Sequence, residues 1–101
     1  MVEIFYTEAF FDDVKFFQKS GNKIILSKLE RFLLEIAIDP YTGTGHPEAL
    51  KFDFSGCWSR QLSKKDRLVY QVEVKEQEDG EDGEKIITVT MLHARGHYDD
   101  K

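Results

Sequence analysis

The feature that most constrains this chain is a change in the spacing of its apolar residues partway along. Up to Ile38 they recur at the interval of a helix, and from Leu50 onward they alternate. A segment with one period does not settle into the other structure, so the change divides the chain into a helical part and a sheet part. Val2 to Tyr6 is a short aromatic and β-branched run that reads as a strand. Thr7 is placed to cap a helix, with Glu8 in the first turn where the dipole favours an acid. Phe10, Val14 and Phe17 then give residues 8–19 one apolar face. Ser20-Gly21-Asn22 interrupts the pattern. A second helix is predicted from Lys23 to Ile38, with Ile25, Leu29, Phe32, Leu33 and Ile36 inward and Lys28, Arg31 and Glu35 on the other side. Asp39-Pro40 ends it, and the short turn between the helices predicts an antiparallel hairpin.

Beyond the glycine-bearing loop from Tyr41 to His46, four strands are predicted: Leu50 to Phe54, Trp58 to Ser63, Arg67 to Val74 and Ile86 to His93. In the third, Leu68, Tyr70, Val72 and Val74 share the face expected to pack on the helices. Arg67, Val69, Gln71 and Glu73 share the opposite, exposed face. The expected class is α+β, two N-terminal helices on a small twisted antiparallel sheet, in one domain spanning 1–101.

Composition narrows the function classes. No apolar run approaches the roughly 18–20 residues of a membrane span, and the start does not read as a signal peptide. Cys57 is the only cysteine, so no intrachain disulfide forms, and beside Trp58 it reads as a small packed side chain. His46, His93 and His97 lack the spacing of a compact metal set, so neither a metal nor a cofactor is expected. The formal charge of −5 is unusual for a protein that grips phosphates. Seven acids and one base fall between Glu73 and Glu84, however, and the other residues carry 12 acids and 13 bases. The acidity is mostly local to that segment, which includes the hairpin connection from Lys75 to Lys85, and a folded face can still be basic when the whole is not.

Four short elements carry chemistry. They are Gly45-His46-Pro47-Glu48-Ala49-Leu50-Lys51, then Gly56-Cys57-Trp58-Ser59-Arg60, then Arg67-Leu68-Val69-Tyr70, then His97-Tyr98. In this order, over about half the chain, they resemble the YoeB (Txe) family of toxins within the RelE superfamily of ribosome-dependent mRNA endonucleases. A carboxylate, cations and a histidine are also what RNA cleavage by its own 2′-hydroxyl needs: a base for the attacking oxygen, donors for the phosphorane and an acid for the leaving 5′-oxygen.

The resemblance implies Glu48 as general base, Arg67 as stabiliser of the phosphorane and His97 as general acid. An imidazole with an ordinary pKa of about 6.5 suits that last role. It also implies Lys51, Arg60 and Arg95 as phosphate contacts and Tyr98 as a base-stacking or orienting group. Two positions depart from the family pattern. Gln61 stands where a second arginine is common, and Asp66 where a histidine is common. Both make the expected RNA face less positive, and Asp66 is expected to neutralise part of Arg67. The chain also continues past Tyr98 as Asp99-Asp100-Lys101. As partners the resemblance implies a YefM- or Axe-like antitoxin, the ribosome with mRNA in its A site and a homodimer, all in the cytoplasm. The competing expectation is a module of the same fold that keeps the antitoxin or ribosome interface but cuts poorly.

Overall fold

The computed structural model describes residues 1–76 and 85–96. The acidic connection at 77–84 and the C-terminal residues from His97 onward lie outside that range. In chain order the elements are β1 (Val2–Tyr6), α1 (Glu8–Lys19), α2 (Lys23–Ile38), β2 (Glu48–Ala49), β3 (Cys57–Gln61), β4 (Arg67–Glu76) and β5 (Lys85–His93), with a 3-10 turn at Phe52–Phe54.

Both helices begin where their caps dictate. The Thr7 hydroxyl accepts from Phe10 N at 3.0 Å, and Asn22 Oδ1 accepts from Ile25 N at 3.1 Å. Each satisfies an amide that the helix itself leaves unpaired. Asp39 is extended, and α2 stops there. Phe10 and Phe17 from α1 and Ile25, Leu29, Phe32 and Ile36 from α2 are buried against Leu68, Tyr70, Val89 and Met91 of the sheet. Each such side chain contributes about 1.5–3 kcal/mol of burial. Val14 and Leu33 pack at the margin of the same core.

The five strands lie in the order β1-β5-β4-β3-β2. β2, β3, β4 and β5 pair antiparallel, but β1 runs parallel to β5, so the sheet is mixed rather than wholly antiparallel. Parallel strands need a long crossover. Here it is all the chain between β1 and β5, a non-local relation that alternation within one strand does not encode.

A second correction concerns Leu50 to Phe54. Pairing is confined to Glu48–Ala49, and the chain then turns, with Phe52 in the left-handed region at φ 59 and Gly56 at φ 89. Phe52 and Phe54 lie two residues apart and so mimic strand spacing, yet Phe52 is 91% exposed. β3 likewise ends at Gln61 rather than Ser63, because Leu62 N and Ser63 N both donate to Asp66 O in a tight turn to β4. In β4, Val74 is exposed near the end of the sheet instead of joining Leu68 and Tyr70 in the core.

The loop between α2 and β2 lies close against the core. Gly45 has φ 82, and a Cβ there would fall 2.5 Å from Phe32 Cζ. Its carbonyl accepts from Gln61 N at 2.7 Å, so the backbone has little room to withdraw. Gly45→Ala is therefore expected to lower stability by about 1–3 kcal/mol, through overpacking and the left-handed backbone. Urea unfolding checks this: the midpoint should fall with the slope unchanged.

Candidate active site

The helices cover one face of the sheet. On the opposite face Glu48, Ser59, Val69 and His93 form a cross-strand row through β2, β3, β4 and β5. The register of β5 slips beside this row: Met91 pairs with Tyr70 and His93 with Val69, leaving Leu92 as the extra residue of a bulge. The Leu92 carbonyl accepts from the Thr7 hydroxyl at 2.6 Å, so the residue that caps α1 also holds the bulge. Leu92 packs with Leu50, Cys57 and Val69 in a small second core. The face expected to be open is thus partly roofed. Val69 is 1% exposed, and only the groups around that patch reach solvent.

Arg67 begins β4 on this face and is half-buried. Its Nη1 donates to Ser59 Oγ at 3.3 Å. Ser59 is in turn the cross-strand partner of Glu48, which is exposed on β2. Opposite residues in an antiparallel pair hold their Cβ atoms about 4.5–5.5 Å apart. A carboxylate and a guanidinium therefore flank one buried hydroxyl. Lys51, three residues after Glu48, is exposed at the start of the turn. His97 and Tyr98 lie outside the described residues, but the chain leading to them is anchored here, because Arg67 N donates to Gly96 O at 3.0 Å.

Arg60 does not belong to this face. It shares the helix side of β3 with Trp58 and is wholly buried, which removes it from the expected phosphate contacts. All five of its N–H groups are engaged. Nη1 donates to Glu35 Oε1 at 2.8 Å and to Thr44 O at 3.3 Å, Nη2 to Thr42 O at 2.9 Å and Pro40 O at 3.5 Å, and Nε to Tyr70 Oη at 3.0 Å. The Tyr70 hydroxyl donates onward to Pro40 O at 2.7 Å. Arg60 thus ties the loop after α2 to the sheet. Burial resists ionisation of Glu35, but hydrogen bonds from Thr44 and the charge and hydrogen bond of Arg60 prevail, and its carboxyl lies below its ordinary value.

The other expected residues divide. Arg95 is exposed with its Cζ 3.5 Å from the Phe16 ring centroid, a cation–π contact that leaves it at the surface. Gln61 is exposed and pairs with Arg67 across the strands. Asp66 is 5% exposed, and its carboxylate is turned to Gly96 N and Ser63 Oγ rather than standing free on the surface. His46 is exposed with a left-handed backbone. His93 is half-buried, and burial holds its pKa below the ordinary value against the pull of Asp13. Cys57 is buried, which pushes its thiol up and suits packing rather than nucleophilic chemistry.

Among the described residues no three His, Cys, Asp or Glu side chains gather as a metal set, and no helix is long and apolar enough to cross a membrane. A cleft of about 960 Å³ lies between the α1–α2 turn and residues 65–66 and 95–96, and neither Glu48 nor Arg67 lines it. Sequence reasoning missed Ser59 and the inward turn of Asp66. Alternation did hold a signal for the first, since Ser59 falls between Trp58 and Arg60, both on the core side.

Residues 6–98 match the model of the YoeB-like toxin of bacterial type II toxin–antitoxin systems. A Toxin YoeB from Synechocystis is 38% identical over 71 residues, covering 70% of this chain and 81% of that protein. The Toxin YoeB of Escherichia coli K12 is 32% identical over 71 residues, covering 70% and 83%. Among solved structures, a YoeB/ParE toxin from Agrobacterium tumefaciens aligns with a TM-score of 0.76 at 27% identity, covering 95% of this chain and 99% of that one. A YoeB–YefM complex from Staphylococcus aureus aligns with a TM-score of 0.71 at 28% identity, covering 97% and 99%.

Proposed function

The chain belongs to the YoeB-like toxin family of type II toxin–antitoxin systems, and we propose that it acts as a ribosome-dependent mRNA endoribonuclease. The observation that carries this is the placing of Glu48 and Arg67 on either side of Ser59, on the face the helices leave uncovered. Glu48 takes the proton of a 2′-hydroxyl, and that oxygen attacks the adjacent phosphorus in line. Arg67, steadied by Ser59, donates to the non-bridging oxygens as charge builds on the phosphorane. His97 gives a proton to the departing 5′-oxygen. The products are a 2′,3′-cyclic phosphate and a 5′-hydroxyl. Every proton has a side-chain donor or acceptor, so the scheme uses no metal. Lys51 and Arg95, both exposed, serve the flanking phosphates, and Tyr98 stacks on or orients a base.

The partners follow from the relatives. The Staphylococcus aureus protein is described in complex with YefM and as a dimer. For this chain we propose a YefM-like antitoxin that covers the same face, the ribosome with mRNA in its A site, a homodimer as a further state, and a cytoplasmic setting. The alternative, a module that binds but cuts poorly, rested in part on Asp66 as an anion among the RNA contacts. Its burial and its bonds to Gly96 and Ser63 favour the enzyme instead.

Wild-type protein added to ribosomes programmed with a defined mRNA should cut it within the A site, at positions mapped by primer extension. Cutting should persist when trace transition metals are chelated at fixed magnesium. Absence of ribosome-dependent cleavage, or loss on chelation that zinc or manganese restores, would defeat the proposal.

A further inference from the structure

The strand β5 ends at His93, and of the three residues after it Ala94 and Gly96 are held through their backbones. Ala94 N donates to Asp13 Oδ2 of α1 at 2.9 Å. Gly96 N donates to Asp66 Oδ1 at 2.9 Å, and Gly96 O accepts from Arg67 N at 3.0 Å. Both backbone polar groups of Gly96 are thus gripped by two consecutive residues, one through a side chain and one through the main chain. The chain turns at this point, since Gly96 has φ 81. The next residue is His97.

We propose that Asp66 is a positioning residue for the general acid: its carboxylate and the Arg67 amide together hold the backbone of Gly96, the residue that precedes His97 in the sequence. The proposal rests on the endoribonuclease function above. Asp66 is suited to the task because it is buried and itself hydrogen-bonded on every side-chain and backbone polar group. Its second oxygen accepts from Ser63 Oγ at 3.2 Å, its own N–H donates to the same hydroxyl at 3.1 Å, and its carbonyl takes Leu62 N and Ser63 N. A carboxylate accepting an N–H makes a stronger hydrogen bond than a neutral acceptor. Asp66 also precedes Arg67 directly, so one short stretch of backbone sets the cation and, through Gly96, the start of the segment bearing the acid. Proton transfer needs hydrogen-bond reach of about 2.6–3.2 Å, so an error at Gly96 becomes an error at the leaving oxygen.

The test compares single-turnover cleavage on saturating programmed ribosomes, per folded molecule. Asp66→Ala should cut about tenfold or more slowly with ribosome affinity within about twofold, the pattern of misplacement rather than lost binding. Asp66→Asn keeps an oxygen for Gly96 N and should stay within about threefold of wild type. In a His97→Ala background, Asp66→Ala should slow the residual reaction no further, because the two act in one step. If Asp66→Ala does not fold, Asp66→Glu takes its place: it keeps the charge but displaces the oxygen, and should show the same slow cutting with intact binding. Wild-type rates for the altered variant, an Asp66→Asn loss as large as that of Asp66→Ala, or an undiminished effect without His97 would each overturn the proposal. Wild-type protein that never cuts would defeat the endoribonuclease function itself, a separable outcome.

Discussion

Arg67→Ala is expected to slow single-turnover mRNA cleavage by roughly 10²-fold or more, the scale seen when one charge-stabilising donor is removed from a reacting centre. The fold should survive, because the ties that Arg67 makes through its backbone, to Gly96 O and to the β3 ladder, do not depend on the side chain. Ribosome affinity should change little, since a donor aimed at the phosphorane matters most when charge has built up there. Arg67→Lys should recover only part of the rate: a lysine supplies a charge but not a fork that reaches Ser59 and phosphate together. Ser59→Ala should be milder than Arg67→Ala, as it removes the support and leaves the cation. Cleavage by Arg67→Ala at the wild-type rate would show that the assignment is wrong, even though the family stands.

What was legible in the sequence follows the range of the forces involved. The helices were readable to their ends, predicted at 8–19 and 23–38 and found at Glu8–Lys19 and Lys23–Ile38. Their signals are local: a cap, an apolar face and a breaker within a few residues. The parallel pairing of β1 with β5 joins residues more than eighty positions apart, and nothing in Val2 to Tyr6 names its partner. The strand expected at Leu50 to Phe54 failed because the left-handed Phe52 breaks the extended chain while the apolar alternation continues. Arg60 was misassigned for a different reason. A family motif makes a cation look like a phosphate contact, whereas its common face with Trp58 points it into the core. Asp66 showed its charge in the sequence but not its burial, because the amide it accepts belongs to a residue thirty positions away.

Arg60 carries the larger expected effect on stability. Arg60→Ala removes five N–H donors at once, empties the space of a wholly buried side chain, and leaves Pro40 O and the Tyr70 hydroxyl with only each other as partners. Truncating a large buried side chain to alanine costs about 3–5 kcal/mol. A domain of this size has about 5–15 kcal/mol in total, so the variant should be marginal. Most of the loss should come from the carbonyls and the cavity rather than from Glu35, whose side chain is 27% exposed and can be rehydrated. Glu35→Gln should therefore be clearly milder than Arg60→Ala, and Arg60→Lys should fail to rescue, since one ammonium cannot reach partners spread across the loop and Tyr70. The pH dependence has a definite sign. Because the Glu35 carboxyl lies below its ordinary value of 4.5 when folded, its contribution is complete above that value and is lost as pH falls through the lower folded value. Arg60→Ala should lower the whole curve and reduce that part of the acid limb without abolishing it, because the Thr44 hydrogen bonds to Glu35 do not depend on Arg60. Urea unfolding across pH measures both, and an Arg60→Ala protein within about 1 kcal/mol of wild type at neutral pH would show that the loop closes on the sheet without its arginine.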